Sequence, residues 1–441
     1  MEKNSKTLPG LEKRRWKRKS DLWWDPLADF ETTVLPNGLT VHSAYWPGRP
    51  WEAVGFINYA GARLDPEGLE GLAHFVEHMV SENASLPKKE IHAFLDNCGG
   101  IANLGATGYA DVNYSFFVPL EKRILSRTLD IFGHMLLLAE MRNHFKREKQ
   151  IIIGEINRDY PVKLQFELDM RERLALYPGL WLARSTRPFG TLESVEKITE
   201  RDLQAHYDRY YTPANLSIVG VGGLETSEFL NYLSESPFMA KKEGARTPIL
   251  PPIEDFPPPT ETRYVFEVSN HVKIETPFEV GGFRSVGRIP GTVSEQAVWF
   301  LNYMLTEVLG DEVRERRGWT YYIKSSIKNF RQFQEISIDS DGLALKSLDK
   351  IEEVVEDCVA SLHKKKDLFE QVKRRALAMN RMIDLTGKGL RDSALADLAI
   401  YQRVLPLAEE RKKIEKVNMR DIIEALEWLK KEMRWTLIVR P

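Results

Sequence analysis

The pentapeptide His74-Phe75-Val76-Glu77-His78 puts two imidazoles and a carboxylate within one short run of chain. On a helix, positions four apart share a face, so both rings can point at one ion while Glu77, three residues after His74, reaches the same space. That is the chemistry of a mononuclear metal site with a base beside it. Leu69, Leu72, Phe75, Val76 and Met79 form an apolar stripe along the same segment, and the plainer reading is a core helix that carries two histidines. With nine His and 64 acidic residues, chance supplies H-x-x-[DE]-H about 0.03 times in such a chain, so the pentapeptide has weight but needs a third ligand.

A catalytic zinc is typically held by three protein ligands with one position open, and a carboxylate commonly completes a two-His set, which also suits other divalent ions. Downstream, FKREKQIIIGEINRDY carries Glu148 and Glu155 two helical turns apart, so both carboxylates share a side while Ile151 and Ile152 pack. One of the two can bind the metal and the other can orient the shell. By themselves, two glutamates on a charged helix are more often a solvated face.

The elements that must position these groups are legible in outline. Pro36-Asn37-Gly38 between alternating apolar residues marks a hairpin. The run from Ala53 to Arg63 reads as a strand, and Asp65-Pro66 as the cap and first residue of the helix that carries the histidines. From Glu121 to about Leu176 the pattern is helical. Thr199 with Asp202 forms a capping box, and NLSIVGVGG is a short apolar strand.

Six of the 23 prolines fall between Lys241 and Thr262, in a stretch that can neither continue a helix nor enter a central strand. This separates a metal-binding domain over 1–240 from a second domain over 263–441, with 241–262 as linker. Strands and helices alternate again beyond it, through YVFEVSNHVKIE, SEQAVWFLNYMLTEVL, WTYYIKSSI, QEISIDS and RWTLIVR. The expected fold is α+β: two similar α/β-sandwich halves, each a mixed sheet with helices packed on it.

Composition sets the outer bounds. Sixty-two basic against 64 acidic residues leave a net charge of -2, so no global field favours nucleic acid or anionic membrane. No apolar stretch is long enough for a spanning helix. Cys98 and Cys358 are far apart, which excludes a disulfide framework. With no secretory h-region at its start, the chain reads as cytoplasmic rather than organellar. The basic run Lys13–Lys19, KRRWKRK, reads as a solvated or docking arm.

H-x-x-E-H is the reverse of the H-E-x-x-H zinc-peptidase motif, and here the chain resembles the pitrilysin, insulin-degrading enzyme and mitochondrial processing peptidase family. LPNGLTV, HFVEHM, Gly99-Gly100, Glu148, Glu155, PFGTLESVEKIT and HYDRYYTPANLSIVGVG follow in the family's order. The resemblance implies one zinc per chain on His74, His78 and Glu155, with Glu77 as general base and Glu148 as a supporting carboxylate. It also implies that Arg314 and Tyr321, in VRERRGWTY, reach over the zinc from the opposing half of a clamshell. Asn103 falls where family members place an Asn beside an exposed strand that pairs with the substrate backbone.

Two features depart from the family's pattern. NLGAT is one residue longer than the common spacing between Asn103 and Thr107, which predicts a bulge. The glycine-rich turn before the Arg/Tyr segment is shortened, and the long glycine-rich loop of the non-catalytic processing-peptidase subunit is absent; both disfavour presequence processing. The length, about half that of long single-chain members, implies a chamber closed by two chains: a homodimer, or a heterodimer with a metal-free homologue. The expected activity is zinc-dependent hydrolysis of short or unfolded peptides, with water activated by Glu77. The alternatives are a non-catalytic structural partner of the same fold and a peptidase dedicated to one precursor.

Overall fold

The computed structural model describes residues 25–82, 87–141, 143–159, 163–184, 187–241, 244–268, 280–380, 382 and 385–440. The basic run at 13–19 and most of the expected strand segment after Val268 lie outside the described residues.

Up to the proline-rich segment the order is β1 (Glu31–Val34), β2 (Thr40–Tyr45), β3 (Trp51–Asn58), α1 (Leu72–Glu82), α2 (Lys88–Asn97), β4 (Ile101–Thr107), β5 (Val112–Pro119), α3 (Lys122–Gly133), α4 (Phe145–Asp159), α5 (Lys163–Leu176), α6 (Leu192–Lys197), α7 (Glu200–Tyr210), β6 (Leu216–Gly222) and α8 (Thr226–Ser234). Beyond it come β7 (Arg263–Glu267), β8 (Val280–Pro290), α9 (Glu295–Leu309), β9 (Lys324–Asn329), β10 (Phe333–Ala344), α10 (Ile351–Ser361), α11 (Lys366–Met379), α12 (Gly387–Tyr401), α13 (Leu407–Lys416), α14 (Met419–Glu432) and β11 (Met433–Arg440). Two mixed sheets result, ordered β1-β2-β6-β3-β5-β4 and β7-β11-β8-β10-β9.

The hairpin expected at Pro36-Asn37-Gly38 joins β1 to β2, with Gly38 at φ +86° where a left-handed residue is needed. β6 is buried along its whole length, as its apolar run requires of a central strand parallel to β2. In β3 the alternation decides the layers. Val54 and Phe56 enter the core that holds Phe75, Val76 and Met79 of α1. Ile57 faces Ala394, Leu395 and Leu398 of α12. Among the described residues, β4 is an edge strand with one side unpaired.

Each sheet takes a layer from the far side of the proline-rich segment. α12 follows that segment in the chain yet covers the first sheet, so closely that a Cβ on Gly55 would lie 2.6 Å from Leu395. The end of α5 precedes it, and Leu176 and Tyr177 pack with Val286, Phe333 and Leu437 of the second sheet. Arg173 pairs with Glu335 at 3.3 Å, Arg284 with Glu172 at 2.6 Å, and Arg331 with Asp111 at 3.1 Å across the same boundary. The α+β reading holds. WTYYIKSSI is shorter as a strand than expected, since β9 starts only at Lys324.

Candidate active site

α1 starts at Leu72, six residues later than Pro66. Asp65 nevertheless caps it from a distance: its two carboxylate oxygens accept the N–H groups of Gly71 and Ala73, each at 2.8 Å. The loop Phe189-Gly190 crosses this helix start. A Cβ on Gly71 would lie 2.4 Å from the Phe189 carbonyl oxygen and one on Gly190 1.9 Å from the Glu70 carbonyl oxygen, and both glycines have positive φ. Ser194 Oγ donates to the same Glu70 carbonyl at 2.7 Å. These contacts anchor the turn that precedes His74.

One turn apart, the His74 and His78 rings have centroids 4.7 Å from each other. From α4, Glu155 Oε2 lies 3.1 Å from His74 Nε2 and 3.6 Å from His78 Nε2. Ligand atoms about 2.0–2.1 Å from a tetrahedral zinc lie about 3.3 Å apart, and the two distances from Glu155 Oε2 fall near that value. Glu148, two turns earlier on α4 and buried, has Oε2 3.2 Å from His78 Nδ1. Its other oxygen accepts from Arg147 Nε at 2.9 Å. A carboxylate behind a ligating imidazole is the arrangement that orients such a ring. Ile152 and Ile156 are the buried residues beneath this face, whereas Ile151, expected to pack, is 42% exposed.

Ligand-type atoms of His74, Glu77 and His78 also lie within 4.8 Å of one another. Glu77, however, meets His74 on the Nδ1 side, at 3.4 Å, while Glu155 faces both Nε2 atoms. His74, His78 and Glu155 could hold an ion on the Nε2 side, with Glu77 set off it. Thr107 Oγ1 donates to Glu77 Oε2 at 3.1 Å.

Burial opposes charge on both rings, but the bonds from Glu148 and Glu155 outweigh it and hold the His78 imidazole up at about 9. His74 is likewise raised against burial by Glu155 and Glu77. Bonds to His74 and His78 hold Glu155 well below the usual carboxylate range. Burial acts against Glu148 too, yet His78 and Arg147 keep it low. Three carboxylates around two rings make a field that favours positive charge between them.

The bulge expected in NLGAT is present: the pairing of β4 with β5 shifts register between Asn103 and Ala106. It brings Gly105 against Glu77, where a Cβ would lie 1.9 Å from Oε1. Sequence reasoning assigned neither Gly105 nor Thr107 a role at the site; the extra residue in NLGAT was the available signal. Asn103 pairs with Ser115 and accepts from the Gly105 N–H at 3.3 Å. Arg314, on a π-wound turn over Gly310–Arg316, pairs with Glu315, and Tyr321 is 94% exposed. Among the described contacts, neither reaches the histidine cluster of its own chain.

Residues 42–163, which contain HFVEH and both glutamates, match the family profile described as insulinase (peptidase family M16). Residues 197–376 match the profile described as the peptidase M16 inactive domain. The chain belongs to peptidase family M16. This M16 chain is 26% identical over 223 residues to the mitochondrial-processing peptidase subunit beta of Neurospora crassa, covering 49% of this chain and 45% of that protein. To the zinc protease PqqE of Helicobacter pylori it is 23% identical over 246 residues, covering 51% and 54%. It spans about half the length of the curated relatives it matches. The fold is that of a solved protease from Helicobacter pylori, with TM-score 0.77 at 16% identity over 95% of this chain and 100% of the other. It also matches the periplasmic protease PqqL from Escherichia coli, with TM-score 0.73 at 17% identity over 93% of this chain and 47% of that one.

Proposed function

We propose that this M16 member is a zinc-dependent endopeptidase acting on short or unfolded peptides in a chamber closed by a second subunit. The observation that carries it is Glu155 Oε2 facing Nε2 of both His74 and His78, with Glu77 beside them but off that corner. His74, His78 and Glu155 would hold the ion, and Glu148 would fix the His78 ring through Nδ1. Bound zinc supplies Lewis acidity toward the scissile carbonyl and toward water. Glu77, steadied by the Thr107 hydroxyl, takes the proton from the attacking water and returns it to the leaving amine. The free edge of β4 offers backbone N–H and C=O groups to an extended peptide.

Arg314 and Tyr321 project into solvent on this chain, which suits a role at the site of a partner subunit, in a homodimer or beside a metal-free homologue. Relatives named as a zinc protease and a processing peptidase support peptide substrates. The test is metal analysis and digestion of a peptide mixture by the wild type and by Glu77→Gln. Both proteins should carry about one zinc per chain, and cleavage by the variant should fall by about 10²–10⁴-fold. Mixing Glu77→Gln with Arg314→Ala chains should restore part of the activity if the arginine acts across subunits. Undiminished cleavage by Glu77→Gln, or a metal-free protein without activity, would discard the reading.

A further inference from the structure

Behind β4, on the face of the first sheet away from α1, lies a cleft of about 840 Å³ between the sheet and the start of α12. That size lies within the usual range for a ligand site. Strand alternation ties it to the candidate active site. Ile101 pairs with Phe117 and Asn103 with Ser115, and all four line the cleft. Ala102 also borders the cleft, but it pairs with Phe116 and packs with it against the core beneath α1. Past the bulge, Thr107 reaches Glu77 on that same α1 side. One edge strand thus presents the base on one face and the cleft on the other. A peptide added to this edge alternates in the same way, so every second substrate residue points toward the cleft.

The charge of the cleft is one-sided. Among the described residues that line it, the cations are Arg49, Lys388 and Arg391 and the one acidic side chain is Asp392. Arg49 lies over the Trp46 ring at 4.5 Å, and among the described residues neither Arg49 nor Lys388 has a carboxylate partner. Arg391 is 4% exposed; Nη1 donates to the Phe116 carbonyl at 3.1 Å and Nη2 to Asp392 at 2.7 Å. The first turn of the 15-residue α12 adds the positive end of a helix dipole. Its seat is tight, because a Cβ on Gly387 would lie 2.0 Å from the Trp51 ring. Trp51 and Phe117 give the cleft apolar walls, and such walls strengthen the field of the cations.

We propose that this cleft is a second recognition site for the substrate, taking a glutamate or aspartate side chain that projects from the bound strand away from Glu77. The methylene stem would lie on Trp51 and Phe117, and the carboxylate would meet Lys388 and Arg49. The assignment rests on the endopeptidase reading and narrows its substrate class to peptides with an acidic residue in the register that faces the cleft.

The test uses peptides of one length, amidated at the C-terminus so that no terminal carboxylate competes, with a single Glu or Gln moved along the chain. Wild type should prefer Glu over Gln by about fivefold per cation engaged, at alternate positions only. Lys388→Glu and Arg49→Glu, both at exposed side chains, should erase or invert that preference while leaving kcat on all-neutral peptides unchanged. Tryptophan fluorescence titration of the same peptides into Glu77→Gln reads binding without turnover. A Glu preference in binding that disappears in Lys388→Glu upholds the site. Equal Glu and Gln affinities at every position, or a preference untouched by both charge reversals, overturns it. Absence of cleavage by wild type discards the endopeptidase reading, and the titration decides the cleft separately.

Discussion

Replacing Gly105 by alanine puts a methyl group where the Glu77 carboxylate sits. The new Cβ would lie 1.9 Å from Oε1, 2.3 Å from Cδ and 2.5 Å from Cγ of Glu77, whereas ordinary contact begins at 3.4 Å. Because the close atoms include Cγ, a terminal rotation cannot relieve the clash, and the carboxylate must retreat by about 1.5 Å. That retreat also breaks the Thr107 hydroxyl bond at 3.1 Å, worth about 1 kcal/mol. A reacting group misplaced by about 1 Å costs on the order of 10²-fold in rate. His74, His78 and Glu155 reach their common corner from α1 and α4, not from β4, so zinc content should stay near one per chain. The assay is kcat/KM on a quenched-fluorescence peptide, beside metal analysis and thermal unfolding of the same preparation. The expected result is a loss of about 100-fold with full zinc occupancy. Wild-type kcat/KM in a folded, zinc-loaded Gly105→Ala protein would refute a role in proton transfer for Glu77 as Gly105 positions it.

Two further outcomes follow from the surrounding frame. Gly190→Ala adds a Cβ 1.9 Å from the Glu70 carbonyl at a residue with φ +79°, so it should destabilise the protein by about 1–3 kcal/mol in urea unfolding; an unchanged midpoint would mean the Phe189-Gly190 loop does not cross the start of α1. Burial raises the Glu52 carboxyl to about 8, against one backbone N–H bond from Leu224. A folded-state value above the unfolded one means its contribution is complete below pH 4.5 and is lost as pH rises through 8. Glu52→Gln should therefore remove part of the fall in urea stability between those limits, and parallel wild-type and variant curves would contradict a buried neutral Glu52.

What could be read along the chain was whatever depends on short spacing. His74 and His78 share a helix face because 3.6 residues make a turn, and Glu148 and Glu155 share one for the same reason. The capping box at Thr199, the left-handed Gly38 and the buried run of β6 are equally local. The bulge in NLGAT was visible as one residue too many, but not its purpose, since nothing near Asn103 in the chain says that Glu77 lies beneath it. Asp65 was expected to start the helix directly. It caps the helix across a turn instead, because the Gly71–Gly190 crossing delays the first helical residue.

The sequence alone determined the inventory: two imidazoles and three carboxylates at helical spacing, on a chain of alternating strands and helices with a proline-rich interruption. Tertiary structure decided which groups meet. Only packing brings α4 against α1, so that one oxygen of Glu155 faces two rings 81 and 77 residues away in the chain. Only packing sends α12 back across the first sheet, where it closes a cationic cleft behind the edge strand. Such contacts are set by which apolar faces bury each other, and side chains alternate or wind too regularly along one element to reveal the partner.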